Sequence, residues 1–107
     1  MAQRDALKIV NEYLRSLPLD KYRLSKAYLF GSYTKNNFTE HSDIDVALIF
    51  DNEIEDLFET QVDLMKHRRN FDLRIEPHPF DVKSFNISNP LVFEILNSGV
   101  EINFKLS

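Results

Sequence analysis

Cysteine and tryptophan are absent from the 107-residue chain. Without cysteine, a disulfide scaffold, a thiolate metal site and a cysteine nucleophile are all excluded. Glycine is nearly as scarce, with only Gly31 and Gly99. Each must therefore mark a place where the backbone needs room or an unusual conformation. No apolar run approaches the roughly 20 residues that cross a bilayer. The opening Met1-Ala-Gln-Arg-Asp5 lacks the apolar core of a signal peptide. A cytoplasmic protein without a membrane partner is the expectation. Positive charge is in deficit, with 13 Lys and Arg against 17 Asp and Glu, for a net charge of −4. That balance disfavours a dedicated nucleic-acid binder, which needs a basic surface to neutralise phosphates. What remains is an ordinary globular composition, 43% hydrophobic and 28% charged. It suits one domain over residues 1–107 with a modest core.

Periodicity divides the chain. Leu7, Val10, Leu14 and Leu17 recur at helical spacing, predicting an amphipathic helix near 4–17 that Pro18 ends. A further helical turn can follow over 19–24. Ala27–Phe30 is a short apolar run halted by Gly31-Ser32, which reads as a buried strand. The polar stretch from Tyr33 to Ser42 is a loop, with room for a helical turn at its start. Asp43 to Phe50 is the clearest strand. Alternation sets Asp43, Asp45, Ala47 and Ile49 on one face and Ile44, Val46, Leu48 and Phe50 on the other.

Asp51 or Asn52 is placed to cap a helix with the stripe Ile54, Leu57, Phe58, Val62 and Met65, closed by Lys66-His-Arg-Arg69. Phe71 to Pro77 reads as a strand ended by Pro77 and Pro79, with Asp72, Arg74 and Glu76 on one face. Asn89-Pro90 caps and opens a helix carrying Leu91, Val92, Ile95 and Leu96, with Gly99 as its C′ residue. Val100, Ile102 and Phe104 alternate, suiting a last strand at an edge. The order implies an α/β (α+β) fold: one small mixed sheet of about four strands, covered by helices.

Two features fall together. Gly31-Ser32 follows a strand directly, and Asp43-Ile-Asp45 opens the next one, with ten residues between Ser32 and Asp43. Two carboxylates about 4 Å apart repel by roughly 4 kcal/mol at an effective dielectric of about 20. Burial adds a desolvation cost. A cation between them relieves both, and hard oxygen donors favour Mg²⁺ or Mn²⁺ over zinc. The glycine lets a backbone approach a ligand closely, and the serine hydroxyl offers a hydrogen bond. A phosphate cradle beside a divalent-metal pair is the equipment for phosphoryl or nucleotidyl transfer. Taken singly, Asp-x-Asp is more often a solvated strand start and Gly-Ser an ordinary turn. Their placement on strand, loop and strand reverses that weighting.

Leu29-Phe-Gly-Ser-Tyr33 followed by Ser42-Asp-Ile-Asp-Val46 resembles the Gly-Ser-x10-Asp-x-Asp signature of the minimal nucleotidyltransferases, within the DNA polymerase β-like superfamily. Asn89 to Val100 is similar to that family's C-terminal helix. The resemblance covers nearly the whole chain and implies the polymerase β-like fold. By it, Ser32 holds the triphosphate of a nucleotide, Asp43 and Asp45 hold metals, and a third carboxylate on a later strand completes the site. Asp72 and Glu76 share a parity, so both can face the aspartates; the spacing from Asp45 is closer to the family's at Glu76. Many relatives carry a second glycine, often after arginine, in the loop after the serine. Here that loop reads Tyr33-Thr-Lys-Asn-Asn-Phe38, and Lys35 is the candidate for its positive charge.

Other polar residues have plainer readings. His41 is a loop histidine near Asp43. His78 lies beside Glu76, placed equally well for a polar contact or for the rim. His67, Arg68 and Arg69 suit the negative end of a helix, and Glu53, Glu55, Asp56 and Glu59 suit its first turn and solvated side. The resemblance implies an enzyme moving AMP from ATP to an acceptor. It also implies a separate helical HEPN-domain partner, as in toxin–antitoxin pairs in which the transferase resembles the antitoxin. The alternative is a partner-binding antitoxin subunit with weak or lost catalysis.

Overall fold

The computed structural model describes residues 3–18, 21–35, 38–39 and 41–104. Helix α1 runs Gln3–Arg15 and strand β1 Leu24–Phe30, followed by a 3-10 turn over Gly31–Thr34. Strand β2 is Ile44–Phe50, helix α2 Leu57–His67 with a 3-10 turn over Arg68–Asn70, and strand β3 Ile75–Asp81. Helix α3 is Pro90–Ser98 and strand β4 Val100–Glu101. The four strands form one mixed sheet in the order β3-β2-β1-β4. β2 pairs antiparallel with β1 and parallel with β3, and β4 runs antiparallel to β1. No helix among the described residues is long and apolar enough to cross a membrane.

The alternation of β2 decides the layering. Ile44, Val46, Leu48 and Phe50 enter a core with Val10, Tyr13 and Leu14 of α1 and Leu64 of α2. Ala47 and Ile49 enter a second core with Tyr28, Phe30, Phe80 and Val92 and Ile95 of α3. β2 is thus the central strand, apolar on both faces beyond its first residues. The Tyr13 hydroxyl donates to the Leu64 carbonyl at 2.7 Å, joining α1 to α2. The Tyr22 hydroxyl and the Lys21 ammonium both donate to Asp63, which holds that carboxyl below its ordinary range.

Several expected boundaries move. β1 begins at Leu24 rather than Ala27. β4 pairs only with Tyr28 and Leu29, so the first half of β1 lies at the sheet's edge, where Ser25 and Lys26 remain exposed. α2 begins after Asp56, whose carboxylate accepts from the Glu59 amide at 3.0 Å. Ile54 precedes the helix because its amide is taken by Asp81 at 3.1 Å. Leu57 and Phe58 consequently lie off the buried stripe, Phe58 at 79% exposure.

The largest correction concerns β3, which does not span 71–77. It begins at Ile75 and runs through both prolines to Asp81. The Arg74 carbonyl accepts from Ile44 of β2, whereas the Ile75 and Pro77 carbonyls point outward, accepting from Arg68 and Gln61. Odd-numbered backbone groups therefore face away from β2, and Pro77 and Pro79 forfeit no ladder hydrogen bond on this edge strand. Gly99 also differs from expectation. It caps α3 as foreseen, but with extended backbone (φ −75°) rather than left-handed. Its small size is what counts, since a Cβ there would lie 2.4 Å from the Ile95 carbonyl oxygen and 3.2 Å from that of Leu29. The 19–24 helical turn lies partly outside the described residues.

Two predictions follow from this packing. Gly99→Ala forces backbone apart between α3 and β1 and should lower the unfolding free energy by about 1–3 kcal/mol, the usual cost of overpacking; urea denaturation reads it. Asp81 is buried and accepts from the amides of Ile54, Lys83 and Ser84. These bonds hold its carboxyl below the ordinary 3.8. A depressed folded value adds stability that is complete above 3.8 and is lost as pH falls from there through the lower folded value. Asp81→Asn should therefore melt lower than the parent at pH 7, with the gap closing under strong acid.

Candidate active site

The Gly-Ser turn and the first half of β2 meet through backbone register. Phe30 pairs with Asp45, so the chain leaving β1 passes directly over that aspartate. Gly31 takes φ +80°, the left-handed region that glycine enters without strain. A Cβ on Gly31 would stand 2.4 Å from Asp45 Oδ2. The carboxylate and the turn are thus packed as closely as atoms allow, and only glycine satisfies both demands. The turn is fastened by Thr34 Oγ1, donating to the Gly31 carbonyl at 2.8 Å, and by the Lys35 amide, donating to the Ser32 carbonyl at 3.2 Å. Among the described residues, no hydrogen bond uses the Ser32 hydroxyl.

Parallel pairing of β2 and β3 sets Asp45 beside Glu76 and Ala47 beside His78. Paired residues of neighbouring strands project to the same face, so Asp45, Glu76 and His78 share the α3 side of the sheet at its β3 edge. Each carboxylate has a local cationic or polar neighbour. His78 Nε2 lies 3.1 Å from Asp45 Oδ1, and its ring meets Phe30 edge-on at 5.0 Å. Arg68 Nη1 lies 3.5 Å from Glu76 Oε2 while donating to the Ile75 carbonyl at 2.8 Å. Asp43 stands just before β2, exposed.

Asp72 is elsewhere. It sits in the turn before β3 and grips Arg74, with Arg74 Nη2 at 2.6 Å and Nε at 2.9 Å. The guanidinium bonds hold its carboxyl below the usual range. Lys35, exposed, forms an ion pair with Glu94 of α3 at 3.2 Å. His41 is exposed in its loop. Among the described residues, no three His, Asp or Glu side chains converge closely enough to form a ready-made metal cage. The sequence favours a helix-end role for Arg68 over phosphate binding and leaves His78 undecided between contact and rim; neither reading includes the Arg68–Glu76 contact. The tight turn after α2 carries Arg68 back onto β3, and that reversal was readable only from an accurate start for β3.

The family described as "Polymerase beta, Nucleotidyltransferase" matches residues 12–105. The chain belongs to that nucleotidyltransferase family. Within it, the chain is 28% identical over 102 residues to a Methanocaldococcus jannaschii protein described as "putative protein adenylyltransferase", covering 92% of this chain and 99% of that one. A solved nucleotidyltransferase from Sulfolobus solfataricus shares the fold at TM-score 0.64 and 18% identity, over 92% of this chain and 80% of that one. So does a chain of a tri-AMPylated Shewanella oneidensis HEPN toxin in complex with MNT antitoxin, at TM-score 0.55 and 21% identity, over 96% of this chain and 73% of that one. A toxin–antitoxin structure with AMP-PNP matches at TM-score 0.58 and 22% identity, over 92% and 73%. The nucleotidyltransferase fold and membership thus stand together.

Gly31 gives the sharpest test of this geometry. Gly31→Ala should lose about 1–3 kcal/mol of stability from its backbone alone, with an added clash against Asp45. Gly31→Ala in an Asp45→Ala background should lose less, because the clashing oxygen is gone and only the φ strain remains. Equal losses in both backgrounds, read by thermal melting, would show that the close approach is not felt.

Proposed function

We propose that this nucleotidyltransferase moves AMP from ATP to a hydroxyl on a partner protein, with Asp43, Asp45 and Glu76 as the metal-binding carboxylates. The observation that carries the reading is the register that sets Asp45 beside Glu76 under the Gly31-Ser32 turn. The donors fit Mg²⁺ or Mn²⁺, being three carboxylates in a chain without cysteine. Bound divalent ions supply charge neutralisation at the attacking and leaving oxygens.

The chain's own residues divide the remaining work. Gly31, lacking a side chain, leaves the turn open to a phosphate, and the unused Ser32 hydroxyl donates to a phosphate oxygen. Lys35 adds positive charge once the triphosphate competes with Glu94 for it. In the transfer, the acceptor oxygen bonds to the α-phosphorus, the bond to the pyrophosphate oxygen breaks, and the hydroxyl proton passes to a carboxylate of the set. His78 orients Asp45, and Arg68 holds the Glu76 side chain near the edge of the sheet. Protein adenylylation as the reaction rests on the described activity of the Methanocaldococcus relative. A HEPN-type acceptor rests on the AMPylated HEPN toxin complex with which the chain shares its fold.

The alternative, an antitoxin subunit that binds its partner with weak catalysis, draws on the existing pairings of Asp45 with His78 and of Glu76 with Arg68. These neighbours partly satisfy the carboxylates without a metal. Calorimetry with ATP and Mg²⁺ separates the two. Asp43→Asn and Asp45→Asn should each abolish metal-dependent nucleotide binding, and Ser32→Ala should cost about 1–3 kcal/mol of affinity. Glu76→Gln should lose most transfer while melting near the parent temperature, whereas Asp72→Asn should stay active. Unaltered nucleotide binding in both aspartate variants would remove the site assignment.

A further inference from the structure

A groove of about 390 Å³ runs between α2 and the turn before β3. Val62, Met65 and Leu73 give it an apolar lining, and Leu73 is 66% exposed. Lys66, Arg68 and Arg69 give it three cations, with no carboxylate among its described lining residues. That is a local reversal of sign in a chain whose net charge is −4. Leu73 is a large apolar side chain left in water at a polar rim, the composition of an interaction surface rather than of a solvated face.

The groove is not independent of the carboxylates. Arg68 lines it and at the same time lies 3.5 Å from Glu76 and bonds the Ile75 carbonyl. Whatever settles in the groove therefore lies one side chain away from the edge of the sheet that carries Glu76. The outward carbonyls of β3 do not recruit an added strand, because Pro77 and Pro79 remove the matching donors along that edge.

We propose that this groove docks the acceptor protein through a segment that is acidic and carries a large apolar side chain. The assignment rests on the adenylyl-transfer reading above and adds the chemistry of the acceptor to it. Carboxylates of the segment meet Lys66 and Arg69, its apolar side chain lies on Met65 and Leu73, and its hydroxyl is held at the β3 edge. The sign of the rim selects an acidic peptide, and the apolar lining favours a protein over a nucleic acid.

The test uses the full chain and a fluorescent peptide of alternating glutamate and leucine with one tyrosine, beside the same peptide with glutamine for glutamate. Binding is read by anisotropy at low and moderate salt. The acidic peptide should bind at least tenfold more tightly than the glutamine peptide, and Lys66→Glu with Arg69→Glu should remove that difference. Metal-dependent hydrolysis of ATP without acceptor should be unchanged in the double variant, since neither residue touches the carboxylates. Loss of that hydrolysis in the parent chain would instead count against the transfer reading, leaving the peptide result to stand by itself. Should charge reversal lower the melting temperature, Lys66→Gln with Arg69→Gln serves in its place, with at least a threefold loss expected. Equal binding of both peptides, unchanged binding after charge reversal or neutralisation, or tighter capture of a single-stranded oligonucleotide than of the acidic peptide would each overturn the proposal.

Discussion

Asp45 Oδ2 fills the space that a Cβ would need on Gly31. Much of the site depends on that contact. It requires glycine at position 31, with its left-handed φ, and that φ turns the chain sharply out of β1 into the 3-10 turn carrying Ser32. It also fixes the height of the turn above the sheet, because the aspartate beneath is held by strand pairing on both sides. A looser packing would tolerate many residues here and hold the serine less closely. The cost of bringing a carboxylate against a backbone turn is offset by the apolar remainder of β2. Val46 to Phe50 are all buried, and burial of each large side chain contributes roughly 1.5–3 kcal/mol.

The edge strand shows how the candidate site and the stability of the sheet share one element. β3 must be parallel to β2 to bring Glu76 beside Asp45, and an edge strand exposes unpaired backbone groups. Prolines at alternate positions remove outward donors, while Arg68 and Gln61 cover two outward carbonyls from the α2 side. The same Arg68 that covers the edge stands against the Glu76 carboxylate. A single side chain therefore serves the sheet and the charge balance of the site.

The legible part of the molecule was the part with strong alternation. β2 and its two faces could be read from Ile44 to Phe50, and α3 from Asn89-Pro90, because local chemistry dictates both. Gly31, Ser32, Asp43 and Asp45 could be singled out because their spacing is short and strand positions are rigid. β3 was misplaced because proline normally ends a strand, and only knowledge of which edge it occupies shows that the outward parity spares it. The start of α2 was misplaced because Asp51, Asn52 and Asp56 can all cap a helix; a distant acceptor, Asp81, decides by taking the Ile54 amide. The Lys35–Glu94 and Arg68–Glu76 pairs join residues far apart or across a turn, and no local pattern announces them.

The position of β4 has a consequence for the order in which the molecule can assemble. Val100 pairs with Leu29, immediately before the Gly-Ser turn, and the Ile102 amide donates to the Ala27 carbonyl. The strand that leads into the site is thus completed on its outer side by residues translated some seventy positions later. Until they arrive, that flank of β1 presents open backbone to whatever is near. Long-range pairing of this kind is slow to form, and an unpaired edge is a site for wrong association. The nascent chain can therefore hold Gly31, Ser32 and Asp45 well before the sheet around them is complete, and the finished arrangement of turn and carboxylate arises only as a late event of synthesis.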